Sequence, residues 1–224
     1  MDGSVESSEW QRFAASILSG LGHDLSGRVT ALLGIAHVIR AAGGSLEAEL
    51  LDDLDAELVK LKQAVVLLRR LASDGAREPR PDRMRELIRD VAQLYRLAGG
   101  SPVLVAGADE PGHGPRIWLA SPILSRALLL VLRSVERTAP GSSLRIRLVP
   151  SEDGSERIEI EAVTRDGILV GEPDGEATFE EARDLIESLG GVVVREASGV
   201  SAPRVAISLP AVDPPRHLSR GWEG

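Results

Sequence analysis

Two long runs of apolar residues at helical spacing, separated by Gly43-Gly44, restrict the first third of the chain to one kind of structure. In residues 6–42 and 46–73, apolar side chains recur every three or four positions and share one helix face. These positions are Phe13, Ile17, Leu18, Leu21, Leu25, Val29, Leu32, Ala36 and Ile39, then Leu50, Leu54, Leu58, Leu61, Val65, Leu68 and Leu71. The glycines end the first helix and Ser45 can cap the second, so we expect a helical hairpin.

A single hairpin cannot bury both of its apolar stripes. The second stripe steps by three and four residues in a pattern close to the heptad seam of a coiled coil. Pairing two hairpins into a four-helix bundle buries both stripes. We therefore predict a homodimer whose dimerisation domain is residues 1–73.

The pattern changes after a linker predicted at 74–81, where Pro and Gly are frequent. Three helices are predicted beyond it, at 82–98, from Ser121-Pro122 to about 138, and from a capping box at Thr178 to about 189, where Gly190-Gly191 ends the last one. Six strands are predicted between and after these helices, at 102–105, 116–119, 144–148, 158–162, 192–194 and 205–209. We expect an α+β protein, with an α/β sandwich over 82–210, helices on one face of a mixed sheet, and a disordered tail at 211–224.

Composition excludes several classes of function. The 224 residues carry a net charge of −8 and only 3% aromatic residues, which argues against binding a nucleic-acid backbone or stacking on bases. There is no Cys, and no apolar run of the roughly 18 residues that a membrane helix needs. The N-terminal sequence is acidic and unlike a signal peptide, so we expect a cytoplasmic protein without a membrane segment.

His23 is the candidate nucleophile of the first helix. It lies two residues from Leu21 and from Leu25, about 200° around the helix, so it points away from the apolar stripe. Its helical neighbours are all small: Ser16, Ser19, Gly20, Ser26, Gly27 and Thr30. Glycine costs about 1 kcal/mol in a helix, so a face that accepts this cost around an exposed imidazole suits the close approach of a partner. The alternative is an ordinary surface histidine.

The segment from His23 to Ala36 resembles the H-box of sensor histidine kinases. That motif reads His-Glu/Asp-Leu, three variable positions that often end in Pro, then Leu-Thr-Ala-Ile followed by Gly and Ala. The matching residues are His23, Asp24, Leu25, Val29, Thr30, Ala31, Leu32, Gly34 and Ala36. Gly27 and Arg28 depart from it, since the family commonly has Thr or Asn and then Pro there. With the hairpin and the order of the second domain, the resemblance spans about residues 10–210, and it implies that His23 accepts a phosphoryl group.

The second domain of that family is a Bergerat-type ATP-binding sandwich whose key helix carries two Asn, the second helping to hold Mg²⁺. Leu130 and Ser134 stand at these positions, and the chain contains no Asn. Asp166-Gly167 is all that remains where the family has Asp-x-Gly-x-Gly, and 171–176 is too short and acidic for a Gly-rich lid. The resemblance therefore implies a degenerate GHKL ATPase-like domain that binds no nucleotide.

These features resemble the histidine phosphotransferases of the ChpT type, which are dimers that pass a phosphoryl group between the aspartates of receiver domains. The implied partners are the receiver domains of response regulators and hybrid kinases. No cofactor or metal site of its own is implied, because Mg²⁺ comes with the receiver. The implied site residues are His23 as phosphoacceptor, Asp24 as orienting group or base, Thr30 and Arg28 as phosphoryl or receiver contacts, and Ser16, Ser19, Gly20, Ser26 and Gly27 as the receiver-binding face.

Other interpretations stay open. A divergent but active sensor histidine kinase would bind ATP, which the missing asparagines oppose. A non-catalytic dimeric scaffold that binds response regulators would leave His23 incidental, and Asp24, Arg28 and Thr30 would then be ordinary surface residues. An unrelated enzyme has least support, because no catalytic triad or carboxylate pair falls in the loops at strand ends.

Overall fold

The computed structural model describes residues 9–41, 48–72, 80–106, 116–119, 121–150, 156–163, 175–196 and 203–210. The chain divides into two compact units: the first takes in the residues up to Ser73 and Leu97–Gly99, and the second takes in the rest. The first unit is built on helices α1 (Glu9–Ala41) and α2 (Ala48–Ala72). The elements of the second unit are β1 (Arg80–Arg83), α3 (Met84–Leu97), β2 (Val103–Ala106), β3 (Arg116–Leu119), α4 (Ser121–Thr138), β4 (Ser143–Pro150), β5 (Glu156–Val163), α5 (Glu176–Ser188), β6 (Val192–Glu196) and β7 (Arg204–Leu209). The protein is therefore α+β, as predicted.

Helices α1 and α2 pack against each other as the predicted hairpin. Buried apolar residues concentrate at the end of the unit where α1 begins and α2 ends; they are Trp10, Phe13, Ile17, Leu21, Ala64 and Leu67. Farther along, the apolar stripe is open: Val29 is 47% exposed and Leu58 is 46% exposed. Leu18, placed on the buried stripe by its spacing, is also half exposed. Among the helices that the structure describes, none is long and apolar enough to cross a membrane.

A five-stranded mixed sheet in the order β2-β4-β5-β7-β6 forms the centre of the second unit. Strands β2 and β4 run parallel, and the other neighbours are antiparallel. Helix α4 contacts β4, β5 and β7, while α5 contacts α4 and β6. Alternate residues of the central strands are fully buried, among them Ile146, Ile158, Ile160 and Ile207. This alternation buries the inner face of the sheet under the helices, as the period-two pattern predicts.

The outer face of the sheet carries charged side chains across three strands. Glu159 on β5 is 7% exposed and forms ion pairs with Arg147, Arg157 and Arg204 on β4, β5 and β7. Next to it, Glu161 accepts hydrogen bonds from Arg147 at 3.0 Å and from Arg145 at 2.9 Å. In the β4–β5 register, Arg145 lies opposite Glu161 and Arg147 lies opposite Glu159. The two rows of side chains therefore pair opposite charges directly.

Two local predictions are wrong. Arg80 and Pro81, expected in a linker, belong to β1, which pairs with β3 in a separate two-stranded sheet. Thr178 does not cap α5; it is buried in the first turn and accepts a hydrogen bond from Arg137 Nη1 at 2.9 Å. The end of α5 is as predicted: Gly190 has φ of 76°, a left-handed conformation that glycine adopts without strain. Segments 74–79 and 211–224 lie outside the described residues.

A cluster of polar residues around Glu136 joins α3 to α4 and to the start of β2. Glu136 Oε2 accepts hydrogen bonds from the Tyr95 hydroxyl at 2.6 Å and from Arg133 at 3.0 Å. Its Oε1 accepts hydrogen bonds from the Ser101 backbone N–H at 2.8 Å and from the Ser101 hydroxyl at 2.7 Å. Burial acts to raise the pKa of Glu136, but hydrogen bonds from Tyr95 and Ser101 outweigh it and lower this pKa from its ordinary value.

We expect Glu136→Gln to destabilise the protein by about 1–3 kcal/mol at pH 7, because an amide cannot accept all four of these bonds. The lowered pKa of Glu136 means that its carboxylate stabilises the fold above the unfolded pKa of 4.5 and less so as pH falls through the lower folded value. The loss of stability on acidification should therefore be smaller in the variant. Urea unfolding at pH 7 and pH 4 measures both effects. Glu187→Gln, an exposed change on α5, is the control and should move the free energy of unfolding by less than about 0.5 kcal/mol.

Candidate functional site

His23 lies near the middle of α1 with its side chain exposed. Leu21, two positions earlier, is only 1% exposed. Because two residues turn a helix by about 200°, the imidazole points away from the buried face, as the periodicity predicts. It is therefore accessible to a partner along the exposed side of α1. His37 on the same helix is also exposed, while His113 and His217 lie outside the part of the chain that the structure describes.

The backbone of α1 is unobstructed at three of its glycines, whereas a Cβ added to Gly20 would meet backbone atoms. A Cβ added to Gly22, Gly27 or Gly34 would meet no atom of the described chain within 4 Å. The hydroxyls of Ser26 and Thr30 are turned back onto the helix, donating to the carbonyls of Gly22 at 2.8 Å and of Ser26 at 2.9 Å. The small residues proposed as a receiver-binding face are mostly open: Ser16, Ser19, Ser26 and Gly27 are exposed, and Gly20 is half-buried. A docking protein could approach close to the helix backbone here.

A chain of four alternating charges crosses from α1 to α2 beside His23. Arg28 Nε donates to Asp24 Oδ2 at 2.8 Å, and its Nη2 donates to Asp24 Oδ1 at 2.9 Å. Arg28 Nη1 reaches Glu57 Oε2 on α2 at 3.4 Å, and Lys60 donates to Glu57 Oε1 at 2.6 Å. The hydrogen bond from Lys60, with attraction from Arg28, lowers the pKa of Glu57 although burial opposes it. This chain of charges contains two acidic and two basic side chains, so their formal charges cancel.

His23, Asp24, Gly27, Arg28 and Glu57 line one pocket of about 310 Å³ on the hairpin. The predicted residues Ser16, Ser19, Gly20, Ser26 and Thr30 are not among its lining residues. The structure thus brings an imidazole, a guanidinium and two carboxylates together at one opening. The roles predicted for these residues, including Asp24 as an orienting group or base, stay predictions; both oxygens of Asp24 are engaged by Arg28.

Sequence reasoning missed Glu57 and Lys60. Glu57 lies three residues after Leu54 and four before Leu61, in phase with the apolar seam of α2. A charged side chain on the apolar face of a helix is unfavourable unless it is paired. The position of Glu57 on that face could therefore have indicated that it pairs with a basic residue. Nothing in the sequence marks Lys60 in this way, since a lysine beside the apolar face of a helix is common.

In the second unit, the two positions compared with the nucleotide-binding asparagines are both buried in α4. Leu130 has no exposed surface and offers no polar atom. Ser134 is equally buried, and its hydroxyl donates to the carbonyl of Gly175 at 2.9 Å while accepting a hydrogen bond from Arg195 Nη2 at 2.9 Å. Gly175 lies so close that an added Cβ would come within 2.9 Å of the Ser134 carbonyl oxygen. These residues therefore hold α5 against α4 and do not fit the Mg²⁺-nucleotide group.

Arg195 is fully engaged in the same contact. Its Nη1 pairs with Glu176 at 2.7 Å, and its guanidinium carbon lies 4.5 Å from the centre of the buried Phe179 ring. Arg183 approaches that ring at 5.1 Å. The ionic and cation–π contacts of Arg195 connect β6 to the first turn of α5, whereas Arg183 lies on α5 itself.

Within the described ranges, no three His, Asp or Glu side chains converge in a way that could hold a metal ion. Segment 164–174, which contains the positions compared with the adenine and lid motifs, lies outside those ranges. The predictions made for that segment, and the absence of a metal or cofactor, therefore stay predictions.

Comparisons with known proteins give matches among solved structures only. No protein-family profile and no curated protein match the sequence. The histidine kinase AdeS of Acinetobacter baumannii is 15% identical, with 85% of this chain and 98% of that chain covered and a TM-score of 0.44. A bacterial phosphotransferase is 14% identical, with 88% and 96% covered and a TM-score of 0.43. Full-length ShkA, solved in complex with AMPPNP, is 17% identical, with 85% and 45% covered and a TM-score of 0.46.

Proposed function

We propose that this protein is a phosphorelay histidine phosphotransferase of two-component signalling, in which His23 carries a phosphoryl group between receiver-domain aspartates. The observation that supports this most is the exposed imidazole of His23, set in an H-box-like sequence and sharing a pocket with Arg28. An imidazole is nucleophilic near neutral pH, and a guanidinium nearby can balance the charge of the incoming group.

The proposed step is an in-line transfer. The unprotonated ring nitrogen of His23 uses its lone pair to form an N–P bond with the phosphorus of an aspartyl phosphate. The P–O bond to the receiver aspartate breaks, and its electron pair leaves with the carboxylate. The proton on the other ring nitrogen stays there or passes to solvent. A second receiver aspartate reverses the step by attacking the same phosphorus. Mg²⁺ enters with the receiver and not with this chain.

Arg28 is the residue best placed to contact the phosphoryl group. Its side chain is held rigidly by Asp24, and it lines the same pocket as the imidazole. Asp24 then acts first on Arg28, and its action on His23 as an orienting group or base is a further part of the proposal. Thr30 lies outside the pocket lining and would contact the receiver.

A phosphotransferase that uses no ATP is favoured over a divergent kinase. Leu130 offers no ligand atom to a nucleotide, and the hydroxyl of Ser134 already bonds to Gly175 and Arg195. Since the chain contains no Asn, no other position supplies an asparagine amide. The phosphoryl group must then come from a partner protein.

The proposed assembly is a cytoplasmic homodimer. Apolar side chains remain exposed on both helices of the hairpin: Leu18, Val29, Leu33, Val38, Leu51, Leu58, Val59, Val65 and Val66. A second hairpin would cover part of this surface in a four-helix bundle. The receiver domain would dock on the small residues beside His23, where little side chain intervenes.

The test is phosphoryl transfer to the purified protein from a radiolabelled, phosphorylated receiver domain, with incubation in labelled ATP alone in parallel. We expect acid-labile label from the receiver and none from ATP. Label from ATP would establish a kinase instead. No label from either route across a panel of receiver domains would overturn the proposal and favour the non-catalytic scaffold, because that alternative needs binding of response regulators and no transfer.

A further inference from the structure

Resting on the phosphotransfer proposed above, we propose that Glu57 is a positioning residue that shares Arg28 with Asp24 and so limits how tightly Arg28 holds the phosphoryl group on His23. Arg28 then orients the group without trapping it, and the group remains transferable to a second aspartate.

The position of the Arg28–Glu57 pair is unusual for a purely structural contact. Arg28 lies between Leu25 and Leu32 in helical phase, and Glu57 lies between Leu54 and Leu61. Both charges therefore occupy seam positions of the hairpin, and each side chain is only 19% exposed. An ion pair in such a place is on average no more stabilising than apolar residues of similar volume, so stability alone does not account for it.

The hydrogen bonds of Arg28 leave it able to take a new acceptor. A guanidinium has five N–H donors, and hydrogen bonds within the described chain use three of those on Arg28. The bond to Glu57, at 3.4 Å, is the longest of the three, whereas Lys60 holds Glu57 at 2.6 Å. Nη1 can therefore turn from Glu57 toward a phosphoryl oxygen while Lys60 keeps Glu57 paired.

The charge balance gives the direction of the effect. A phosphoryl group on His23 brings up to two negative charges beside Asp24, Arg28 and Glu57 of the pocket and Lys60 outside its lining, whose formal charges cancel. A phosphoryl oxygen bonded to Nη1 shares that nitrogen with Glu57, whose carboxylate stays nearby and repels it. Phosphohistidine is thus less stable than it would be beside an unshared arginine, and the equilibrium with a receiver aspartate moves toward the aspartate.

The experiment measures how label divides between His23 and the receiver aspartate at equilibrium. Glu57→Gln keeps the shape of the side chain but removes its charge, and should raise the ratio of phosphohistidine to aspartyl phosphate roughly three- to tenfold. The rate of onward transfer to a second receiver should fall correspondingly. Asp55→Asn is the matched control, since Asp55 is an exposed carboxylate two residues away on the opposite side of α2; it should leave the ratio unchanged.

A double-mutant cycle separates action through Arg28 from general charge removal. In an Arg28→Gln background, Glu57→Gln should no longer change the ratio. A change that persists there, or an equal change in Asp55→Asn, would overturn the proposal. An unchanged ratio of phosphohistidine to aspartyl phosphate in both Glu57→Gln and Glu57→Ala would also overturn it. If the melting temperature or oligomeric state changed in those variants, the Arg28–Glu57 pair would have a structural role only. Failure of the proposed function itself looks different, since the wild-type protein would take no label.

Discussion

Replacing His23 with alanine is expected to reduce labelling from a phosphorylated receiver domain to background, while the fold and the receiver-binding affinity stay close to those of the wild-type protein. The side chain is exposed and packs in no core, so its removal should change the free energy of unfolding by less than about 0.5 kcal/mol. The loss of transfer would be complete, because no other group in the pocket has a nucleophilic nitrogen.

His37→Ala is the matched control. His37 follows His23 by 14 residues, which is nearly four full turns, so it lies on almost the same face of α1 about 21 Å along the helix. It is also exposed. If His37→Ala is labelled at the wild-type level while His23→Ala is not labelled, His23 is the phosphoacceptor. If instead His37→Ala loses the label and His23→Ala keeps it, His37 is the phosphoacceptor and the assignment to His23 is wrong. Transfer that survives both substitutions would exclude an α1 histidine altogether.

The second large effect is expected from Leu130→Asn, which introduces an asparagine at one of the two positions compared above with the nucleotide-binding asparagines of sensor histidine kinases. Leu130 has no exposed surface, so the change removes apolar contacts and buries an amide where an apolar side chain packed. The lost packing and the burial of the amide should together lower the free energy of unfolding by about 3–5 kcal/mol. Urea unfolding measures the loss, and a nucleotide titration of the folded variant should show no binding.

Leu130→Met conserves the volume and apolar character of the site, and should cost less than about 1.5 kcal/mol. If Leu130→Asn were as stable as the wild-type protein, the position would have to open to solvent or to a ligand, contrary to its burial. If that variant gained ATP binding, the second unit would have to contain a nucleotide site. The alternative function, a divergent histidine kinase, would then be favoured.

The helices and the sheet pattern were predictable because apolar residues recur in this sequence with a strong period. The spacing of Leu50, Leu54 and Leu58 identifies α2, and the alternation around Ile158 and Ile160 identifies β5. Gly190 marks the end of α5 because helices commonly end with a glycine in the left-handed conformation. Local signals of this kind depend on neighbours in sequence, which a sequence displays directly.

The remaining features depend on residues far apart in sequence. Strand β1 is formed by Arg80 and Pro81 pairing with β3, some 35 residues away, and nothing in their local composition indicates a strand. Thr178 has the pattern of a cap, but Arg137 holds it inside the first turn instead. In the candidate site, His23 could be identified from its position on the helix and from the H-box-like motif. Glu57 comes close to Arg28 only because α1 packs against α2, which the sequence around Glu57 does not display.

The charged outer face of the sheet has a consequence for how β4 and β5 find their alignment. A slip of one residue would expose the buried isoleucines, so hydrophobic burial alone excludes odd shifts. A slip of two residues keeps every side chain on its proper face, and burial does not exclude it. Shifted one way, Arg147 would face Arg157; shifted the other way, Glu159 would face Val149. Like charges directly opposite each other are destabilising, so the first shift is penalised, and the second shift leaves Glu159 with no arginine opposite it. Each shift forms only one Arg–Glu pair between β4 and β5, where the observed register forms two, so the charged side chains favour that register over the even shifts that burial permits.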